Sequence, residues 1–166
     1  MIVLGIDPGT ATTGYGVVEN NIKKTGKGKI QSCVDYGVIK TSPKKEMGQR
    51  LAQISSELIK IIEEYEPKII VVESLFFFKN LKTALPVSQA RGVVLLEAAK
   101  KGVQVLEFTP LQIKTCVCGY GRAEKLQVQK MVQILLRLKE LPKPDDAADA
   151  LAAAICGCDS LKLLKN

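Results

Sequence analysis

Five carboxylates stand at the ends of apolar runs, in a chain that has no histidine. Asp7 closes Met1-Ile-Val-Leu-Gly-Ile6, and Glu73 closes Ile69-Ile-Val-Val72. Asp145, Asp146 and Asp149 open the alanine-rich run 147–156. An acid that follows a buried strand, or opens a buried helix, is costly unless something compensates its charge. Oxygen donors without imidazole select a hard cation, Mg²⁺ before others. Two such ions about 4 Å apart, held by carboxylates, serve phosphodiester hydrolysis: they activate water and stabilise the leaving oxygen.

Spacing leaves one choice open. Asp146 and Asp149 are three apart and share a helical face; Asp145 and Asp149 are four apart and share one too. Either Asp145 or Asp146 could be the ligand while the other caps the helix. Each acid also has an ordinary reading. Asp7-Pro8-Gly9 is a common turn, and Glu73 could be a strand-end acid in solvent. Convergence of all of them at one place is what those ordinary readings do not predict.

The rest of the chain is basic. Its 24 Lys and Arg against 17 Asp and Glu give a net charge of +7, which favours an anionic partner. An acidic metal pocket inside a positive protein suits an enzyme that cuts a phosphate backbone. No apolar run of about 18 residues is present, so no transmembrane helix is expected. The first residues lack the basic and small-residue pattern of a secretory leader. A cytoplasmic location with reduced cysteines is the expectation. Cys116-x-Cys118 and Cys156-x-Cys158 do not have the usual zinc-knuckle spacing and read as core. Thr25-Gly-Lys-Gly-Lys29 lacks the ending of a P-loop and reads as a hairpin turn.

The elements that must place the acids follow from periodicity. Residues 2–7, 14–20 and 30–40 read as three strands with short links, an antiparallel meander. Leu51, Ile54, Leu58, Ile61, Ile62 and Tyr65 fall on one helical face, ended by Pro67. Residues 68–73 form a fully covered strand. A helix over 87–101, a strand over 103–108 and a short helix capped by Thr109-Pro110 come next. A helix over 123–139 runs through Leu126, Met131, Ile134, Leu135 and Leu138, and a last helix starts near Asp145. A right-handed crossover sets the fourth strand parallel to the first. The fold class is therefore α/β, a five-stranded mixed sheet whose fourth and fifth strands run parallel to the first. One domain over 1–158 and a short tail over 159–166 are expected. Asp7 and Glu73 then share the carboxyl edge of the sheet, where open sheets bind ligands.

Groups suited to DNA lie near those acids. At least one ring of Phe76-Phe77-Phe78 must point outward, and with Lys79 and Lys82 it would make a stacking platform. A hydrophobic plug is the even alternative. Lys114 and Lys125 flank the loop Gly119-Tyr-Gly121-Arg122, which could track phosphates. The helix over 87–101, with Val93, Val94, Leu96 and Ala98, suits either an interface or the core.

Six segments in order resemble one family. They are Gly5-Ile-Asp7-Pro-Gly9-Thr10, Gly14-Tyr-Gly16-Val-Val18, Val72-Glu73-Ser-Leu-Phe76-Phe-Phe-Lys79-Asn80, Gln89-Ala-Arg91-Gly92-Val93, Ala123-Glu-Lys125-Leu-Gln-Val-Gln129, and Asp146-Ala-Ala-Asp149-Ala-Leu-Ala152. The chain resembles the RuvC family of bacterial Holliday-junction resolvases, over about residues 2–158. The resemblance implies a ribonuclease H-like fold and a homodimeric, Mg²⁺-dependent endonuclease (Mn²⁺ able to substitute) that nicks two opposed strands of four-way junction DNA. It implies Asp7, Glu73, Asp146 and Asp149 as metal-binding and catalytic acids, which selects Asp146 over Asp145. Some relatives carry histidine at the position of Asp146. It implies Lys114 and Lys125 as basic residues for DNA and cleavage, Phe76 as the ring at the junction centre, and contact with the RuvA–RuvB branch-migration machinery. On the residue reading, Lys79 and Arg122 join the DNA-binding set.

Three other functions share parts of this pattern. An actin-like or sugar-kinase-like ATPase shares a loop like Gly5–Thr10, but needs a second lobe that 166 residues do not supply. A related nuclease for RNA or RNA–DNA hybrids would share the acids. A non-catalytic DNA-binding module would gain nothing from acids facing phosphates.

Overall fold

The computed structural model describes residues 1–22, 29–74 and 81–160. Their elements run β1 (Ile2–Asp7), β2 (Thr12–Ile22), β3 (Lys29–Lys40), α1 (Met47–Tyr65), β4 (Ile69–Glu73), α2 (Leu81–Lys100), β5 (Gln104–Phe108), α3 (Pro110–Cys118), α4 (Lys125–Leu136) and α5 (Asp145–Ser160). The sheet order is β3-β2-β1-β4-β5. β1, β2 and β3 pair antiparallel, whereas β4 lies parallel to β1 and β5 parallel to β4. The expected meander and crossover are both present. The turn read at 25–29 falls largely outside the described residues.

Strand alternation sorts the side chains onto two cores. Leu4 and Ile6 of β1, Val17 of β2, and Ile70 and Val72 of β4 pack against α1 and α2. Val3, Val18, Ile69 and Val71 pack on the other face, against α3, α4 and α5. The same parity puts Gly5 and Asp7 of β1, Gly14 and Gly16 of β2, and Glu73 of β4 on the α5 side.

The α5 helix lies almost against that face. A Cβ on Gly5 would meet the Ala150 carbonyl oxygen at 2.0 Å, and one on Gly14 would meet the Asp146 oxygen at 2.0 Å. Gly5 and Gly16 are paired across β1 and β2. Small strand residues and an alanine-rich helix thus make one close seat. Every residue from Ala150 to Cys158 is buried. Cys156 and Cys158 are buried, whereas Cys116 is exposed.

Three boundaries or faces differ from the sequence reading. The α2 helix includes Pro86 and is helical from Leu81. A proline this near a helix start removes one hydrogen bond, and the packed turns that follow hold the rest. The α4 helix stops at Leu136, where Arg137 takes a left-handed conformation at φ 54°. Its buried face is Val128, Gln129, Val132 and Leu136, an i, i+4 row that packs toward α5. Leu126, Ile134 and Leu135 are exposed instead. Apolar residues on both faces of α4 made the row ambiguous, and the position of α5 selects one. The α2 helix divides the same way: Val94 and Ala98 are core, while Leu96 is exposed.

Candidate active site

The acids are positioned by three separate elements. Ile6 pairs with Val72 in the parallel register, so the next residues, Asp7 and Glu73, leave the sheet side by side. Asp146 and Asp149 sit in the first turns of α5, whose close seat over Gly14 sets them against that edge. Asp7 is itself the register partner of Gly14. The loop after β1 is braced: Thr13 Oγ1 donates to the Gly9 carbonyl at 2.6 Å, and Thr41 Oγ1, which accepts from Arg50 Nε at 2.8 Å, donates to the Thr10 carbonyl. A side chain on Gly9 would strike the Thr12 carbonyl oxygen at 2.3 Å, so the turn needs glycine there.

Two cavities meet at Glu73. The larger, about 300 Å³, is lined by Asp7, Pro8, Gly9, Thr12, Glu73, Val87 and Asp146. The smaller, about 90 Å³, is lined by Glu73, Pro110, Ile113, Lys114, Val128 and Asp149. The four acids therefore border one cleft in two lobes. Asp145 lines neither lobe. Its carboxylate accepts from Gln129 Nε2 at 2.6 Å and pairs with Lys125 Nζ at 3.1 Å. Geometry thus separates the two neighbouring aspartates that spacing alone left open.

The acids repel one another in a partly dehydrated place. Burial, then the charges of Glu73, Asp149 and Asp146, push Asp7 up to about 7. Burial and the charge of Asp149 push Glu73 up to about 7, against the pull of Lys114 and Lys125. Burial raises Asp149 as well, and Lys125 opposes it. Burial alone would lower Lys125, but its hydrogen bond to Asp145 and the charges of Asp149, Asp145 and Asp146 hold it above the usual lysine value. Surplus negative charge at a cleft of oxygen donors is what a hard divalent cation relieves. Among the described residues no three His, Cys, Asp or Glu side chains are yet gathered closely enough to hold an ion between them. The four acids line the cleft without converging on one point. The donor chemistry and the charge surplus fit such an ion.

The raised acids set a pH dependence. Their unfolded values are near 3.8 and 4.5. Below about pH 3 the folded and unfolded forms are both largely protonated, and neither acid biases folding. Between about 4 and 7 the unfolded chain ionises first, so the cation-free protein loses stability as pH rises through that window. Asp7→Asn removes part of this penalty. In chelator, its melting temperature should exceed that of the parent at pH 8, with the gap closing toward pH 4. A constant gap across that range, followed by calorimetry, would show that Asp7 does not carry the strain.

The other expected residues fall into place as follows. Lys114, half-buried on α3, borders the smaller lobe. The α3 helix that carries it is opened by Thr109, whose Oγ1 accepts from the Gln112 backbone N–H at 3.2 Å. Lys125, at the start of α4, lies 3.6 Å from Asp149 Oδ2. Arg122 is exposed in the loop between α3 and α4 and lines neither lobe. Phe76 and Lys79 lie outside the described residues. Asp145 was read as a ligand or a helix cap, and its pairing with Lys125 and Gln129 was not foreseen. Its signal was the i, i+4 pair Lys125 and Gln129, two polar groups on one helical face with an acid-rich helix beside it.

Comparison with known proteins bears on this geometry. The family model described as "Crossover junction endodeoxyribonuclease RuvC" matches residues 3–157. A protein of that name from Syntrophomonas wolfei is 52% identical over 98% of this chain and 91% of its own length. A Thermus thermophilus RuvC structure superposes with a TM-score of 0.88 at 34% identity, covering 98% of this chain and 96% of that one. Another, of T. thermophilus RuvC in complex with Holliday junction substrate, gives 0.86 at 31% identity, with the same coverage. The five-stranded mixed sheet flanked by helices is therefore the ribonuclease H-like fold of that family. A match of the family model across nearly the whole chain, with half the residues identical to a named relative, means that the chain belongs to the RuvC family of crossover junction endodeoxyribonucleases.

Proposed function

We propose that the protein is a Holliday-junction endodeoxyribonuclease that nicks two opposed strands symmetrically in DNA recombination and repair. The observation that carries this reading is the meeting of Asp7, Glu73, Asp146 and Asp149 at one cleft, beside Lys114 and Lys125, in a chain of this family. These four acids would hold the divalent cation, Mg²⁺ or in its place Mn²⁺. When bound, the cation activates water and offsets charge on the leaving oxygen. Glu73, which borders both lobes, links the two halves of the cleft. Lys114 and Lys125 bring positive charge to where a backbone phosphate would lie, and the part-buried setting strengthens each charge that acts there. Phe76, Lys79 and Arg122 are proposed as further DNA contacts.

A second copy of the chain fits α2. Leu85 and Leu96 are 66% and 52% exposed, and with Gln89 and Gly92 they form one stripe at helical spacing. Nothing lies within 4 Å of a Cβ placed on Gly92. Glycine in a helix interior costs about 1 kcal/mol, and close approach of a partner helix gives it a purpose. A two-fold dimer presents two equivalent clefts to a four-armed substrate. The rest of the proposal is one nuclease domain over 1–158 with a tail over 159–166, work in the cytoplasm, and cooperation with RuvA–RuvB. Among the described residues no helix is long and apolar enough to cross a membrane.

A substrate panel tests the reading. With Mg²⁺, a synthetic four-way junction should be cut much faster than linear duplex or an RNA–DNA hybrid of the same sequence. Preferential cutting of the hybrid would replace this function with that of an RNA-directed nuclease on the same fold.

A further inference from the structure

The Lys125 ammonium stands between two carboxylates of unequal standing. It lies 3.1 Å from Asp145 Oδ2 and 3.6 Å from Asp149 Oδ2. Asp149 borders the cleft; Asp145 does not. The other oxygen of Asp145 accepts from Gln129 Nε2 at 2.6 Å. Gln129 is buried on α4, so one end of this arrangement is fixed by packing. Lys125 and Gln129 are one helical turn apart and grip the same carboxylate from one face of α4. A free lysine beside Asp149 would compete with a cation for it, because both neutralise the same charge.

We propose that Asp145 is a positioning residue that gives Lys125 a second anchorage just outside the cleft, so that a divalent cation can take Asp149 while the lysine stays beside the substrate phosphate. The inference rests on the proposed cation site. It assigns Asp145 no contact with the cation or with DNA. Its effect passes through Lys125. The arrangement also solves a problem of chemistry. A lysine tied only to Asp149 would have to be expelled into solvent when the cation arrives, and would then no longer face the phosphate. With Asp145 held by Gln129, the lysine shifts its weight from one carboxylate to the next.

The test uses the whole protein without DNA and reads the rise in melting temperature as Mn²⁺ is added. Four forms are compared: the parent, Asp145→Asn, Lys125→Met and the double variant. Asparagine keeps the shape of Asp145 and its acceptor for Gln129, and removes only the charge that holds the lysine. The Mn²⁺ concentration at half-maximal shift should rise about threefold in Asp145→Asn, the scale of one partly exposed ion pair. In the Lys125→Met background the same substitution should change it little. An unchanged midpoint in Asp145→Asn, with the parent responding normally, would overturn this role and leave the cation site standing. An equal rise in both backgrounds would also overturn it, since Asp145 would then act by its own charge. A parent that does not respond to Mn²⁺ at all would remove the cation site and this role together.

Discussion

Asp7→Asn should abolish junction cleavage and spare junction binding. Asp7 ends the central strand and sits where burial and three neighbouring acids meet. The substitution keeps shape and removes a charge proposed to draw a cation to the larger lobe. Losing one ligand of this kind costs about 4 kcal/mol of transition-state stabilisation, a rate loss of about a thousandfold. Binding should hold or tighten, because one negative charge facing DNA phosphates is gone. Single-turnover cleavage with Mg²⁺, beside fluorescence anisotropy in Ca²⁺, separates the two effects. Unimpaired cutting would reject Asp7 as part of the catalytic centre. Equal loss of binding would mean that the residue holds the fold instead.

Gly14→Ala should damage stability and activity together. The new methyl group would sit 2.0 Å from the Asp146 carbonyl oxygen and 2.4 Å from its carbon. Both are backbone atoms of the first turn of α5, so no side chain can swing aside. The helix must move off the sheet or the strand must bend. Overpacking of this severity costs about 3 kcal/mol or more, which lowers the melting temperature by roughly 6–12 °C for a chain of this size. The displaced turn carries Asp146, so cleavage should fall even at temperatures where the variant remains folded. Gly48→Ala, in the first turn of α1, is the control, because nothing lies within 4 Å of a Cβ placed there. That variant should be as stable as the parent or more so. If Gly14→Ala melted with the parent and cut at its rate, the close seat of α5 would not be what places Asp146.

The sheet edge that carries the site was legible because period-two alternation and a short strand–helix–strand crossover have few solutions. Asp7 and Glu73 follow directly from it: each ends a covered strand, and parallel pairing sets them side by side. Asp149 followed from its helical spacing. The choice of Asp146 over Asp145 did not follow from spacing, since three and four residues both return to one face. That choice depends on how α5 is rotated on its seat, which Gly5, Gly14 and Gly16 fix by close backbone contact. Strand glycines carry no pattern that identifies the helix pressed on them. The buried row of α4 was lost for a related reason. Leu126, Ile134 and Leu135 are as apolar as Val128, Val132 and Leu136, and only the neighbour decides which row is covered. Lys125 and Gln129 share a helical face, but Asp145 lies 20 and 16 positions from them, and the pair alone does not say which acid it faces.

Acids from three distant segments are proposed to act with a divalent cation on a junction strand. The most direct measurement is to incubate the protein with a synthetic mobile four-way junction, each strand labelled in turn, with Mg²⁺ and separately with chelator. Paired nicks at symmetric positions in two opposed strands, seen with Mg²⁺ and absent in chelator, are the result this account predicts. Cutting that persists in chelator, or a junction left whole in Mg²⁺ by folded, junction-bound protein, would contradict it.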